Sequence, residues 1–95
     1  MTIQLKRFGQ FLSSRPDGRE AALVLLSSDL RQHQGALELN FEEILVMTPS
    51  WLGEFVITLN QSGIAQIHYT CLENASVKSS VEMTQMMEKL APSGS

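Results

Sequence analysis

The chain has 95 residues, 43% of them apolar, and its seven Lys and Arg against ten Asp and Glu give a formal net charge of -3. A chain of this size hides roughly 60–65% of the surface it would expose unfolded, enough for one small core and not for two. The basic residues Lys6, Arg7, Arg15, Arg19, Arg31, Lys78 and Lys89 form no run, which argues against nucleic acid, and the short apolar stretches argue against a membrane span or a secretory signal.

Residues 2–8 alternate Ile3 and Leu5 with Gln4 and Lys6, the period of a half-buried edge strand. Residues 9–16 carry Gly9, Ser13, Ser14 and Pro16 and read as a loop. Asp17 with Glu20 three positions on predicts a capping box. A helix then runs from Gly18 to about Gln34, with Ala22, Leu25, Leu26 and Leu30 on one face, Leu23 and Val24 widening it, and Gly35 as the stop. Residues 36–41 read as a strand and residues 44–47 as an apolar approach to the next helix.

Thr48 is a preferred N-cap, and Pro49 suits the first helical position because its missing N–H would have no intrahelical partner. The spacing predicts a helix over 49–61 with Leu52, Phe55, Val56 and Leu59 as its apolar stripe. After Ser62-Gly63, residues 65–72 alternate Ile67, Tyr69 and Cys71 with Gln66, His68 and Thr70, another strand. Asn74 caps a last helix over 75–90, with Val77, Val81, Met83, Met86, Met87 and Leu90 as apolar positions. Residues 91–95 read as a flexible tail. The alternation of strand and helix predicts an α/β domain over 1–90 with some parallel pairing.

Ser50 lies in the first turn after Thr48-Pro49, where backbone N–H groups point outward and the helix dipole is positive. An exposed anion there, including a phosphate on the hydroxyl, gains about 0.3–1 kcal/mol. Ser50 and Thr48 therefore read either as regulatory phospho-acceptors or as an ordinary cap, and the pattern alone favours the cap. Glu54 reads as orienting the Ser50 region, as meeting a partner's cation, or as a solvated first-turn acid. Arg15 and Arg19 bracket the first helix start, as guanidinium forks for an anion or as solubilising surface residues.

Trp51 falls off the apolar stripe, so it reads as a partly exposed partner contact or as packed against the loop before the first helix. Cys71 reads as a small buried hydrophobe, His33 and His68 as structural or solvated, and Met83, Met86 and Met87 as core filling ahead of an adaptable partner surface. One cysteine and two unsuitably spaced imidazoles give no disulfide and no metal set, so no cofactor is expected. These features suit a reducing, cytoplasmic setting.

The stretches SSRPDGREAALVL, ALELNFEEILVMTPSWLGEFVITL and IHYTCLENASVKSSVEMTQMM together resemble the STAS-like domain family of unknown function, relatives of the anti-sigma-factor antagonists. The resemblance covers about residues 8–87 and rests on Gly18-Arg19, Asn40-Phe41, and Ser50-Trp51 with Glu54, in that order. It implies a STAS-type sandwich, a small mixed sheet of about four strands with three helices packed on it. A phosphorylatable hydroxyl is implied at the start of the helix after the central strand, here Ser50 with Thr48 as its neighbour.

The implied function is that of a non-enzymatic bacterial regulator binding a kinase, a GHKL-type ATPase or an anti-sigma factor. Its contact would involve Trp51, Glu54, Arg15 and Arg19. The chain departs from the family pattern with Asn40 for Asp, Trp51 for Phe and Gly53 for an acidic residue. Two other classes stay open: a small phosphate-binding hydrolase using Arg15, Arg19 and Glu54, and a structural homodimer exposing the Met-rich last helix.

Overall fold

The computed structural model describes residues 1–33 and 35–90, so the tail expected over 91–95 lies outside the described residues. The first strand is shorter than the alternation suggests. β1 (Thr2–Gln4) gives way to a 3-10 turn over Leu5–Phe8, because Leu5 turns fully into the core. Gly9, at φ 116°, donates its N–H to the Lys6 carbonyl and lets the chain leave that turn. The expected loop then contains a second strand, β2 (Phe11–Leu12).

α1 (Arg15–Leu26) starts three residues before the expected position. Its cap is Ser14, whose Oγ accepts from the Asp17 N–H at 3.2 Å, so Asp17 sits in the first turn and does not act as the cap. Pro16 belongs to that turn, where its missing N–H costs nothing. The buried face is Gly18, Ala21, Ala22 and Leu25, while Leu23 and Val24, expected to widen it, are exposed.

The helix also ends at Leu26, well before Gln34 and Gly35. The Ser27 and Ser28 hydroxyls both donate to the Val24 carbonyl, and the Leu30 N–H donates to the Leu25 carbonyl at 2.8 Å. This closes the last turn and still buries Leu30 from a non-helical segment.

β3 (Leu37–Asn40) turns Leu37 and Leu39 inward, and it lies between β1 and β5 (Ile67–Thr70) in a three-stranded parallel sheet. β4 (Val46–Met47), expected only as an approach to the next helix, pairs in parallel with β2. The mixed sheet of about four strands is thus replaced by two small parallel sheets. Both members of the β1–β3 pair are interrupted at the same level, one by the 3-10 turn and the other by residues 41–45. Glu43 takes φ 66° there and its carboxylate binds the Lys6 ammonium. β2 and β4 resume the pairing beyond the break.

α2 (Pro49–Gln61) has the expected bounds, cap and stripe: Leu52, Phe55, Val56 and Leu59 are fully buried. α3 (Ala75–Leu90) is capped by Asn74, whose Oδ1 accepts from the Ser76 and Val77 N–H groups at 2.9 and 3.2 Å. Its inner face is Val77, Ser80, Val81 and Thr84. Met83, Met86 and Met87, read as core filling, are instead exposed. Cys71 is half-buried at φ 61°, just past the end of β5, and so is not the enclosed hydrophobe expected.

α1 and α2 approach closely at Gly18. A Cβ on Gly18 would lie 2.2 Å from the Trp51 carbonyl oxygen and 2.9 Å from its carbon, so the two backbones touch where only glycine fits. A Cβ on Gly53, two residues further along α2, would meet nothing within 4 Å. Gly18→Ala is therefore expected to lose about 1–3 kcal/mol of stability through overpacking. Gly53→Ala should gain up to about 1 kcal/mol from helix propensity. Urea unfolding of both variants reads the difference, and equal stabilities would contradict the contact.

On the surface, Arg7 Nη1 and Nη2 donate to Asp29 Oδ2 and Oδ1 at 2.9 and 3.3 Å. The bonds from Arg7, with a second from Ser28, hold the Asp29 carboxyl below the usual carboxylate range. A depressed carboxyl contributes stability above its unfolded value that is lost as pH falls through its folded value. Arg7→Ala should move the Asp29 midpoint upward in a carbon-detected NMR titration, and an unmoved midpoint would show the pair to be inconsequential.

Candidate functional site

Thr48 follows β4 and caps α2, and its hydroxyl is used twice. Thr48 Oγ1 donates to the Ser13 carbonyl at 2.8 Å and accepts from the Trp51 N–H at 3.3 Å. Its own N–H donates to the Leu12 carbonyl, and its carbonyl accepts from the Leu52 N–H. The first turn of α2 is therefore largely satisfied. Pro49 has no N–H, Trp51 and Leu52 are paired, and only the Ser50 amide is left to face solvent. The broader open set of amides anticipated beside Ser50 is reduced to this one group.

Ser50 is exposed and its side chain makes no hydrogen bond among the described residues. It begins a second face of α2 made of exposed Ser50 and Ile57 with half-buried Glu54 and buried Gly53, set against the inward face of Leu52, Phe55, Val56 and Leu59. Both faces follow the same three-and-four spacing. The second face forms one wall of a shallow depression of about 340 Å³. Arg15 closes it from the start of α1, and Met83 and Met87 from α3. The missing Cβ of Gly53 deepens the floor.

Of the six residues singled out in the sequence, the structure brings Arg15, Ser50 and Glu54 to this depression. Arg19 is exposed and is not among its lining residues. Thr48 lies beneath it as a half-buried cap. Trp51, read either as a partly exposed contact or as packed against the loop before the first helix, is 1% exposed. Its indole stacks on Phe55 at 4.9 Å and lies 6.2 Å from Phe8, so it belongs to the core.

Ile57, Met83 and Met87 were not foreseen as part of the site. Ile57 had a signal, since it stands seven positions beyond Ser50, but nothing local could assign two methionines from another helix to the same wall. A larger polar concavity of about 670 Å³ lies at the opposite end of α2, beside Arg31, His33 and Ser62. His33 Nε2 there is within 3.1 Å of the Ala36 carbonyl, which makes it a structural imidazole as expected. His68 is exposed on β5.

The geometry separates the two hydroxyls. Thr48→Ala removes a cap and a tie to the preceding segment, and should cost about 0.5–2 kcal/mol. Ser50→Ala should stay within about 0.5 kcal/mol of the parent, as exposed substitutions do. Thermal unfolding of the two variants measures both, and a costly Ser50→Ala would mean that the hydroxyl is structural. Compared with models of known protein families, with characterised proteins and with solved structures, the chain matches none.

Proposed function

We propose that the chain is a non-enzymatic regulatory module that docks a kinase or ATPase-type protein partner on the Ser50 depression, with phosphate on Ser50 as the switch. The supporting observation is an exposed, unengaged hydroxyl that shares a depression with Arg15 and Glu54 and with Pro49, Gly53, Ile57, Met83 and Met87. Unmodified, the charged rim sums to zero and the apolar wall is open to a partner. A phosphate adds about 1.5–2 negative charges at its centre. Arg15 would turn toward it, Glu54 would repel it, and a partner face matched to the neutral rim would be released.

The STAS-type reading is compatible with the parallel strands, the three helices and the position of Ser50 at the start of the helix after β3 and β4. Under this reading the protein acts in the cytoplasm as an antagonist-like switch whose partner is a GHKL-type kinase or an anti-sigma factor. The methionines suit that role because their flexible, polarizable side chains adapt to a partner surface.

Incubation with a GHKL-type kinase partner and ATP, followed by mass spectrometry, should place phosphate on Ser50 and leave Thr48 unlabelled. Ser50→Asp should weaken binding of the same partner by about tenfold or more, the scale of a mismatched charge at an interface, while Ser50→Ala retains it. Label confined to other residues, or full binding by Ser50→Asp, would remove the switch.

A further inference from the structure

The α1–α2 crossing leaves a second depression on its other side, of about 230 Å³, with walls of a different character. Phe11 is 68% exposed, the most exposed large apolar side chain among the described residues. It lies there with Val24, itself exposed, above the buried Trp51. The rim carries the carboxylates of Asp17 and Glu20. Neither forms an ion pair among the described residues, where Lys6 is held by Glu43 and Arg7 by Asp29.

The backbone at Phe11 is open as well. In the β2–β4 ladder the Gln10 and Leu12 carbonyls accept from the Val46 and Thr48 N–H groups, each at 3.0 Å, and Phe11 stands opposite Val46. Backbone groups alternate sides along a strand, so the N–H and C=O of Phe11 point away from β4. No proline or lysine stands at residues 10–13 to blunt this edge.

We propose that the β2 edge is a docking site for an extended segment of a partner protein with alternating apolar and basic residues. Strand addition at Phe11 supplies main-chain hydrogen bonds. The apolar side chains of the segment cover Phe11 and Val24, and its cations meet Asp17 and Glu20. The charge of the rim selects the occupant. An acidic segment is repelled, and a second copy of β2 would bring two pairs of like carboxylates together. This inference does not depend on the reading of Ser50, which lies in the other depression.

The test uses a blocked hexapeptide of alternating valine and lysine, compared with a valine–glutamate hexapeptide and a lysine-only hexapeptide. Trp51 is the only tryptophan in the chain and borders the depression from within the core, so its emission responds to a segment packed above it. The valine–lysine peptide should shift that emission and the amide resonances of Phe11 and Val24. Binding should weaken by about tenfold or more in Asp17→Asn/Glu20→Gln, with an unchanged circular dichroism spectrum. Phe11→Ser, a change at an exposed position, should weaken it similarly. An equal response to either control peptide would overturn the proposal, as would the absence of a shift at Phe11. A Phe11 shift that follows protein concentration without peptide would overturn it in favour of self-pairing.

Discussion

The carbonyl of Trp51 occupies the space where a side chain on residue 18 would begin, and the arrangement of both depressions follows from that contact. Because Gly18 lets the α1 and α2 backbones touch, Arg15, one turn earlier on α1, comes to the side of Ser50, one residue earlier on α2. On the opposite side the same crossing sets Asp17, Glu20 and Ala21 around the second depression, with Trp51 beneath. A larger residue at 18 would separate the helices, open the core beneath the indole and pull Arg15 away from Ser50. The glycine therefore acts on the surface through the packing of the interior.

Thr48 fixes the same region from below. Four hydrogen bonds through its hydroxyl, amide and carbonyl join the end of β2, the segment before α1 and the first turn of α2. Three chain segments are held by one small residue, and its neighbour Ser50 is left with no structural task. That separation is what makes a chemical change at Ser50 compatible with an intact fold. Modification of Thr48 would instead break the cap and the tie to Ser13.

α3 shows how one helix can serve the core and the surface with residues of similar hydropathy. Its inner face is anchored to β4 by hydroxyls, since Ser80 donates to the Met47 carbonyl at 3.0 Å and Ser76 Oγ accepts from the Met47 N–H at 3.2 Å. Those serines lie where a purely apolar stripe would have been expected, beside Val77 and Val81. The methionines consequently fall on the outer face. A hydrophobicity pattern alone reads them as core, because it cannot weigh a serine that is satisfied by a neighbouring strand against a methionine that is not covered.

The sequence by itself determined the elements whose ends carry their own chemistry. α2 is bounded by Thr48-Pro49 and Ser62-Gly63, α3 begins at Asn74, and the Leu52, Phe55, Val56 and Leu59 stripe has only one helical reading. Tertiary structure decided the rest. The start of α1 moved to Arg15 because Ser14, read only as part of a loop, accepts from the Asp17 N–H and so takes the capping role expected of Asp17. The existence of β2 and β4 rests on pairing between residues 35 positions apart, and the burial of Trp51 depends on Phe8, Phe55 and a glycine on another helix. Ser50, Arg15 and Glu54 could be named from the sequence, but their meeting with Met83 and Met87 could not. Local propensity acts over one turn of chain, whereas a depression is defined by which helices the core draws together.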